Sequence, residues 1–377
     1  MKVFIALITA FVFFSCAENK IEPALIPLDN FDTELAGEKI GLYNLTNSKG
    51  MVVQITNYGA RVVALWVPDK NGDFKDVVMG FESIKEYFDS SDLYHGPIVG
   101  RYGNRINKGQ FTLNDSIYKL SINDGPNHLH GGAGGWESKV WDAEKISVDG
   151  NEALKLSYFS KDGEEGYPGN LKIDVTYIVT ENNELTIKYK AQTDAPTIIN
   201  PTSHCYFNLS GTTKNTILSH ILKIDGDKFT PTDEGLIPTG ELSLVAQTPL
   251  DFRTERPIGD SIDEDYEPLK FGLGYDHNYV LNKNIGEYKE AAVIQSPESG
   301  IKMTVITDQP GLQFYSGNFM DGTITGKRGD LNHYRSGFAL EAQNFPDAPN
   351  HADFPSAVLL PNEEYNQVTS YLFSVTN

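Results

Sequence analysis

Between residues 171 and 191 apolar and polar side chains alternate on both sides of a tight turn. Leu171, Ile173, Val175, Tyr177 and Val179 come first, Asn182-Asn183 reverses the chain, and Leu185, Ile187, Tyr189 and Ala191 alternate on the way back. A period of two places each apolar set on one face of an extended strand, so both arms of a hairpin are committed to the same core. The pattern recurs in Met51–Thr56 and Arg61–Val67 around Asn57-Tyr58-Gly59, and in Ala291–Gln295 and Ile301–Thr307 around Pro297-Glu298-Ser299-Gly300. Phe338–Gln343 and Val368–Val375 supply later strands. Helical periodicity is confined to Ser83–Phe88, enough for one or two turns. Many short strands with Gly, Asn and Pro turns predict an all-β fold, a large antiparallel sandwich. With 377 residues, length alone allows two domains, but no composition break or fixed-period repeat divides residues 41–377, which read as one domain.

The N-terminus reads differently. Lys2 precedes an apolar run from Val3 to Phe14, followed by Ser15-Cys16. The run is short of the roughly 20 residues a spanning helix needs and suits a signal-peptide core. A Cys after a small residue at its end resembles a bacterial lipobox, giving a signal peptide over 1–15, cleavage before Cys16 and lipidation of Cys16. Phe13 departs from the Leu or Val usual there, which leaves plain secretion as the alternative. Residues 16–40 then form a lipid-anchored tether, and the protein is expected to be exported, periplasmic or at the cell surface, touching membrane only through that anchor. Cys205 is the only other cysteine, so no intramolecular disulfide forms once Cys16 is lipidated.

The chain has 31 Lys and Arg against 51 Asp and Glu, a net charge of −20. Such a field repels a phosphate backbone and argues against a nucleic-acid partner. The acidic stretch Asp260–Glu267 lacks the regular oxygen spacing of an EF-hand and reads as solvated surface, with a structural Ca²⁺ as the alternative.

Five clusters depart from ordinary strand-and-turn sequence. Gly100-Arg101-Tyr102-Gly103-Asn104-Arg105-Ile106 sets two arginines and an asparagine among glycines; Arg suits hydroxyls, carboxylates or phosphate, while Arg101 equally reads as a structural arginine bonding turn carbonyls. In Asn127-His128-Leu129-His130-Gly131-Gly132 the two histidines would face the same way if extended, a metal-site spacing, but no third ligand is evident. His130 beside two glycines can instead present its imidazole to a ligand. In Asn200–Leu209 His204 is the acid–base candidate, since an imidazole exchanges its proton near neutrality. A His204–Cys205 nucleophile pair is disfavoured because strand neighbours point to opposite faces. Asp276, in Gly274–Tyr279, can accept sugar hydroxyls or cap its own turn. Gln309–Asn318 and Phe338–Asp347 form the fifth; Glu341 lies in an apolar strand pattern and needs a partner, a function or a solvent-facing position.

Taken together these segments resemble aldose 1-epimerases, also called galactose mutarotases. The motifs are Gly-Arg-x-x-Asn-Arg-Ile, Asn-x-Leu-His-Gly-Gly, His-x-Tyr-Phe-Asn-Leu, Asp-His-x-Tyr, Pro-Gly-x-Gln-Phe-Tyr and Leu-Glu-x-Gln, in that order from about Gly41 to the C-terminus. The resemblance implies a galactose mutarotase-like β-sandwich and interconversion of the α and β anomers of free aldohexoses such as galactose and glucose. His204 would be the general acid and Glu341 the general base, with Asn104, Arg105, His130, Tyr206, Asp276 and Gln313 contacting the sugar. No metal or other cofactor is required, and a monomer is the default. One departure is Cys205, where relatives commonly have Ser. Rival readings are a non-catalytic surface sugar-binding lipoprotein, an epimerase of phosphorylated hexoses, and a glycoside hydrolase. The first has no need of both His204 and Glu341, and the last generally needs two carboxylates flanking the bond.

Overall fold

The computed structural model describes residues 21–376; the expected signal peptide and the expected lipidation site, Cys16, fall outside them. Its largest sheet has nine strands, in the order Asp142–Val148, Asn151–Ser160, Leu171–Thr180, Glu184–Thr193, Tyr365–Val375, Ile301–Thr307, Lys289–Gln295, Ile221–Ile224 and Arg256–Pro257. Neighbours pair antiparallel throughout. The hairpin that alternates most clearly lies in this sheet, with Ile173 opposite Ala191 and Val175 opposite Tyr189. All four belong to the main core cluster, as the period of two requires.

Two smaller sheets bury the other side of that core. One has four strands, Leu42–Thr46, Val52–Thr56, Arg61–Pro68 and Phe74–Asp76. The other has five, Ser243–Leu244, Lys228–Phe229, Asp276–Val280, Gly311–Tyr315 and Ala339–Gln343. Val53, Ile55, Val62, Leu312, Phe314, Leu340 and Ala342 share one apolar cluster with the inner face of the nine-stranded sheet. Buried tyrosine hydroxyls also cross between layers: Tyr177 donates to the Ala60 carbonyl at 2.7 Å and Tyr371 to that of Leu340 at 3.2 Å. The expected all-β sandwich is the fold observed.

The proposed tether is corrected from residue 21 onward. Ile26 and Phe31 are buried with Ile40, Trp66, Phe81 and Tyr87 in a second apolar cluster. The Gln54 side-chain amide pairs with both backbone groups of Ile26, at 2.9 and 3.0 Å, while strands Thr33–Leu35 and Glu38–Ile40 form a hairpin. The irregular spacing of these apolar residues hides a segment that docks through individual side chains rather than a repeating face.

The expected helix is present as Ile84–Asp89, with Ser83 capping the Glu86 amide. A second, Glu267–Gly272, was not anticipated; Pro268 in its first turn and buried Leu269 are its local signals. It follows the acidic stretch, whose Asp263 pairs with Arg335 at 2.8 Å and Asp265 with Lys270.

Candidate active site

The floor of the site is the outer face of the five-stranded sheet. Leu312, Phe314, Leu340 and Ala342 point into the core, so their alternating neighbours Gln313, Tyr315 and Glu341 face the other way. Strand register sets Gln313 beside Glu341 and Tyr315 beside Asp276. Glu341 is therefore turned neither to the core nor to solvent: it is 2% exposed, and it lines a cavity of about 680 Å³.

His204 follows the two-residue strand Thr202–Ser203, which pairs with Ile98–Val99. Its backbone is fixed on both sides: its N–H donates to the Pro97 carbonyl at 2.9 Å, and its carbonyl accepts from Gly96 at 3.0 Å. The imidazole Nδ1 lies 3.0 Å from the Tyr94 carbonyl. A carbonyl only accepts, so Nδ1 carries a hydrogen and Nε2 is left to exchange a proton. That Nε2 lies 3.8 Å from Glu341 Oε1.

The glycine-arginine and histidine loops meet above this pair. Arg105 pairs with Leu129 and Ile106 with His128 in a short antiparallel ladder. That strand stops at Leu129, because His130 takes a left-handed backbone at φ 52°. Gly131 continues the turn at φ 95°, packed so closely that a Cβ there would lie 1.8 Å from the Gly100 carbonyl oxygen. The equal orientation of His128 and His130 expected for an extended segment is thus corrected. His128 turns away, bonding the Ser121 carbonyl at 2.7 Å and the Tyr167 hydroxyl at 2.6 Å. His130 stands against His204, with ring centroids 4.9 Å apart.

The two imidazoles are held in opposite tautomers. Asn104 N–H donates to His130 Nδ1 at 3.1 Å, so a neutral His130 carries its hydrogen on Nε2 and serves as a donor. Burial, with His204 and Arg105 nearby, keeps His130 well below the ordinary imidazole range and hence neutral. Nε2 of His204, by contrast, offers a lone pair. Donor atoms of His130, His204 and Glu341 lie within 4.8 Å of one another, close enough to surround an ion. A metal would need the His130 lone pair that the Asn104 amide already uses, so the donor set fits a ligand with hydroxyls better than a cation.

Burial also sets the protonation of the central pair. It pushes His204 down to about 4 and raises Glu341 well above the ordinary carboxylate range, Asp276 adding to the rise and Arg105 opposing it. Both shifts favour neutral forms. Burial by itself therefore disfavours the expected imidazolium and carboxylate. In either arrangement the pair holds one shared proton around neutrality. Glu341 Oε2 is buried without a hydrogen-bond partner among the described residues.

Asn104, Arg105, His130, His204, Tyr206, Asp276 and Glu341 all line the cavity. Gln313 does not; its Nε2 donates to Asp276 Oδ1 at 2.7 Å, so it supports Asp276 from behind. Arg105 is steadied by Asp124, with Nε to Oδ2 at 2.8 Å. Arg101 takes the structural course, its guanidinium bonding the Pro168 and Gly169 carbonyls and the Thr197 and Ser160 hydroxyls. Cys205 points into the core, and burial pushes its thiol up to about 11, far from a nucleophile's range. The lining residues that sequence reasoning missed include Asp92, Tyr94 and Tyr315. Tyr315 was legible, two positions from Gln313 on the same strand. Tyr94 and Asp92 lie in an irregular segment with no motif to mark them.

A β-sandwich whose outer sheet face holds a carboxyl–imidazole pair with one shared proton, roofed by a neutral histidine donor and an arginine, defines an acid–base enzyme for a polar, hydroxylated substrate. A sequence profile of the family described as Aldose 1-epimerase matches residues 41–372. The chain is 44% identical over 324 residues to galactose mutarotase of Sus scrofa, covering 86% of this chain and 91% of that protein. It is 36% identical over 341 residues to aldose 1-epimerase of Escherichia coli strain K12, covering 89% and 96%. Among solved structures, the GalM/aldose epimerase homologue from C. elegans superposes with a TM-score of 0.81 at 31% identity, covering 90% of this chain and all of that one. Galactose 1-epimerase from Lactobacillus acidophilus NCFM also gives 0.81, at 30% identity and coverage of 92% and 98%. The chain belongs to the aldose 1-epimerase family, a family of isomerases.

Proposed function

We propose that this chain interconverts the α and β anomers of free aldohexoses such as galactose and glucose, with Glu341 and His204 as its acid–base pair. The observation that carries the reading is the buried, unpartnered Oε2 of Glu341 at the cavity floor, 3.8 Å from His204 through its other oxygen. A buried carboxyl without partners is costly unless a ligand satisfies it.

Ring opening needs one proton removed and one supplied. As Glu341 takes the proton from the O1 hydroxyl, the O1 electrons form the C1=O1 double bond and the C1–O5 bond breaks. His204 Nε2–H then supplies the proton to O5. Rotation about C1–C2 presents the other face of the aldehyde, and the reverse transfers close the ring. The proton count is unchanged through a full cycle, so the pair regenerates itself. A sugar hydroxyl on Oε2 supplies the hydrogen bond the carboxylate lacks, favouring the charged arrangement in the complex. His130, donating through Nε2, and Arg105 suit the ring and hydroxyl oxygens, and Asp276 suits hydroxyl donors. Tyr206 offers an aromatic face beside His204, centroids 5.0 Å apart.

Polarimetry tests the reading: the rotation of freshly dissolved α-D-galactose and α-D-glucose is followed with and without the soluble domain, the spontaneous rate being subtracted. Acceleration in proportion to enzyme is expected, and a folded protein with no effect on either sugar returns the chain to a sugar-binding role. The shared proton also sets a pH profile. Activity requires the singly protonated pair, so kcat/KM should fall on the acid side only as pH drops through about 4, where His204 gains its proton. On the alkaline side it should fall above the ordinary carboxylate range, where the last proton leaves. An acid limb at about 6.5, the ordinary imidazole value, would contradict the burial argument.

We further propose that the protein is exported and anchored through a lipid on Cys16. Lys2, the run Val3–Phe14 and Ser15-Cys16 support this reading. Mass spectrometry of the processed N-terminus should find a lipidated Cys16; an unmodified N-terminus at another residue counts against it.

A further inference from the structure

We infer that Arg61 is a positioning residue for His204, an inference that rests on the acid–base role proposed for that histidine. Arg61 opens the strand Arg61–Pro68. It is 2% exposed and forms no ion pair within 4 Å among the described residues. Its three hydrogen bonds all go to backbone instead, while Nε is buried without a partner among the described residues. Nη1 reaches the carbonyls of Leu93 at 3.0 Å and His95 at 2.7 Å, and Nη2 reaches that of Glu137 at 3.0 Å. The guanidinium lies over the Tyr87 ring, 4.6 Å from its centroid.

The two carbonyls held by Nη1 flank Tyr94, and the Tyr94 carbonyl is the one that accepts from His204 Nδ1. Arg61 thus grips the peptides on both sides of the group that sets the His204 tautomer. Other contacts of the segment converge on the same end. Asp92 Oδ1 accepts from the Tyr94 amide at 2.9 Å, and Gly96 and Pro97 bond the His204 backbone. The third carbonyl belongs to the turn Trp136–Ser138, which follows the His130 loop, and Trp136 N–H bonds the Gly100 carbonyl at 3.2 Å. One buried fork therefore ties together the segments behind both imidazoles.

A buried cation without an acidic partner is an expensive way to satisfy three carbonyls. The arrangement is explained if what matters is the direction of the Tyr94 carbonyl. Lysine cannot reproduce it, because a point charge on a flexible stem does not present the planar fork that spans Leu93 and His95. Without that fork the Tyr94 carbonyl keeps only the Gly96 N–H, at 3.0 Å, beside His204 itself, so its direction loosens and Nε2 no longer faces Glu341 in a single tautomer.

The test compares Arg61→Lys with the native protein, and repeats the change in a His204→Asn background. Misplacing a catalytic group by about 1 Å costs up to about a hundredfold, so kcat should fall at least about tenfold in Arg61→Lys while KM stays within about twofold. In the His204→Asn background the same change should cost less than about twofold, because the group it positions is gone. Nitrogen-15 NMR of the histidines reads the tautomer without any assay: the native His204 should show one Nδ1-protonated form and the variant a mixture. A folded Arg61→Lys protein with native kcat, an equal loss in both backgrounds, or an unchanged Nδ1 signal each overturns the proposal. A His204→Asn protein with near-native rate instead overturns the role of His204, a distinct result. If Arg61→Lys does not fold, Arg61→Gln, which keeps an amide donor, carries the comparison. Failure of both to fold makes the guanidinium a folding requirement and overturns the positioning role.

Discussion

Glu341→Gln should lower kcat by about 10²- to 10⁴-fold, the range expected when one positioned proton transfer is lost. The amide matches the carboxyl in size and cannot take the O1 proton near neutral pH. Structural damage should be slight, since Glu341 Oε2 has no hydrogen bond to lose among the described residues and Oε1 lies 3.8 Å from His204. Replacing a buried ionisable group by a neutral one removes a desolvation cost, so the melting temperature should hold or rise slightly. Calorimetric titration should still detect galactose, because Asn104, Arg105, His130 and Asp276 remain in the cavity wall. A variant within about threefold of the native rate would remove Glu341 from the chemistry, since that is well under the loss expected for a proton-transfer group.

His204→Asn should cost a similar factor for a complementary reason. The asparagine amide can keep a donor directed at the Tyr94 carbonyl, which lies 3.0 Å from Nδ1 in the native protein. It has no atom that holds and yields a proton at the Nε2 position. The two groups share one proton and act in the same event, so their losses should not add. The double variant should fall close to the slower single variant, a non-additivity characteristic of residues that work as a unit. Losses that multiply would mean that each residue acts independently, and the shared-proton mechanism would have to be abandoned. Polarimetry with blank subtraction reads all three rates.

The fold was largely legible because a strand shows its buried face at every second residue. The hairpin of residues 171–191 and the strand Ile301–Thr307 could be placed with a residue or two of error. Failures came where structure does not repeat. The segment at Ile26 and Phe31 docks by single contacts, and the helix Glu267–Gly272 is too short to establish a period. Residues of the site were legible as types in motifs, and seven of those assigned meet in one cavity. The resemblance assigns Gln313 to the sugar, whereas in the fold it does not line the cavity and its side-chain amide donates to Asp276. Tyr94 acts through its backbone carbonyl, a group every residue possesses and no motif can mark.

The order of residues along the chain was enough to establish the sandwich, the side of each long strand that is buried, and the chemistry available at His204 and Glu341. These follow from local geometry, since alternation and side-chain type are properties of a few consecutive residues. Tertiary structure decided which groups meet. His204 follows the strand Thr202–Ser203 and Glu341 lies in Ala339–Gln343, and their 3.8 Å approach exists only because the five-stranded sheet and the segment carrying His204 pack against a common core. It also decided their protonation, because the desolvation that pushes His204 down and Glu341 up comes from neighbours distant in sequence. The tautomers of His130 and His204 belong to the same category, each set by one backbone group that only the folded chain brings within reach.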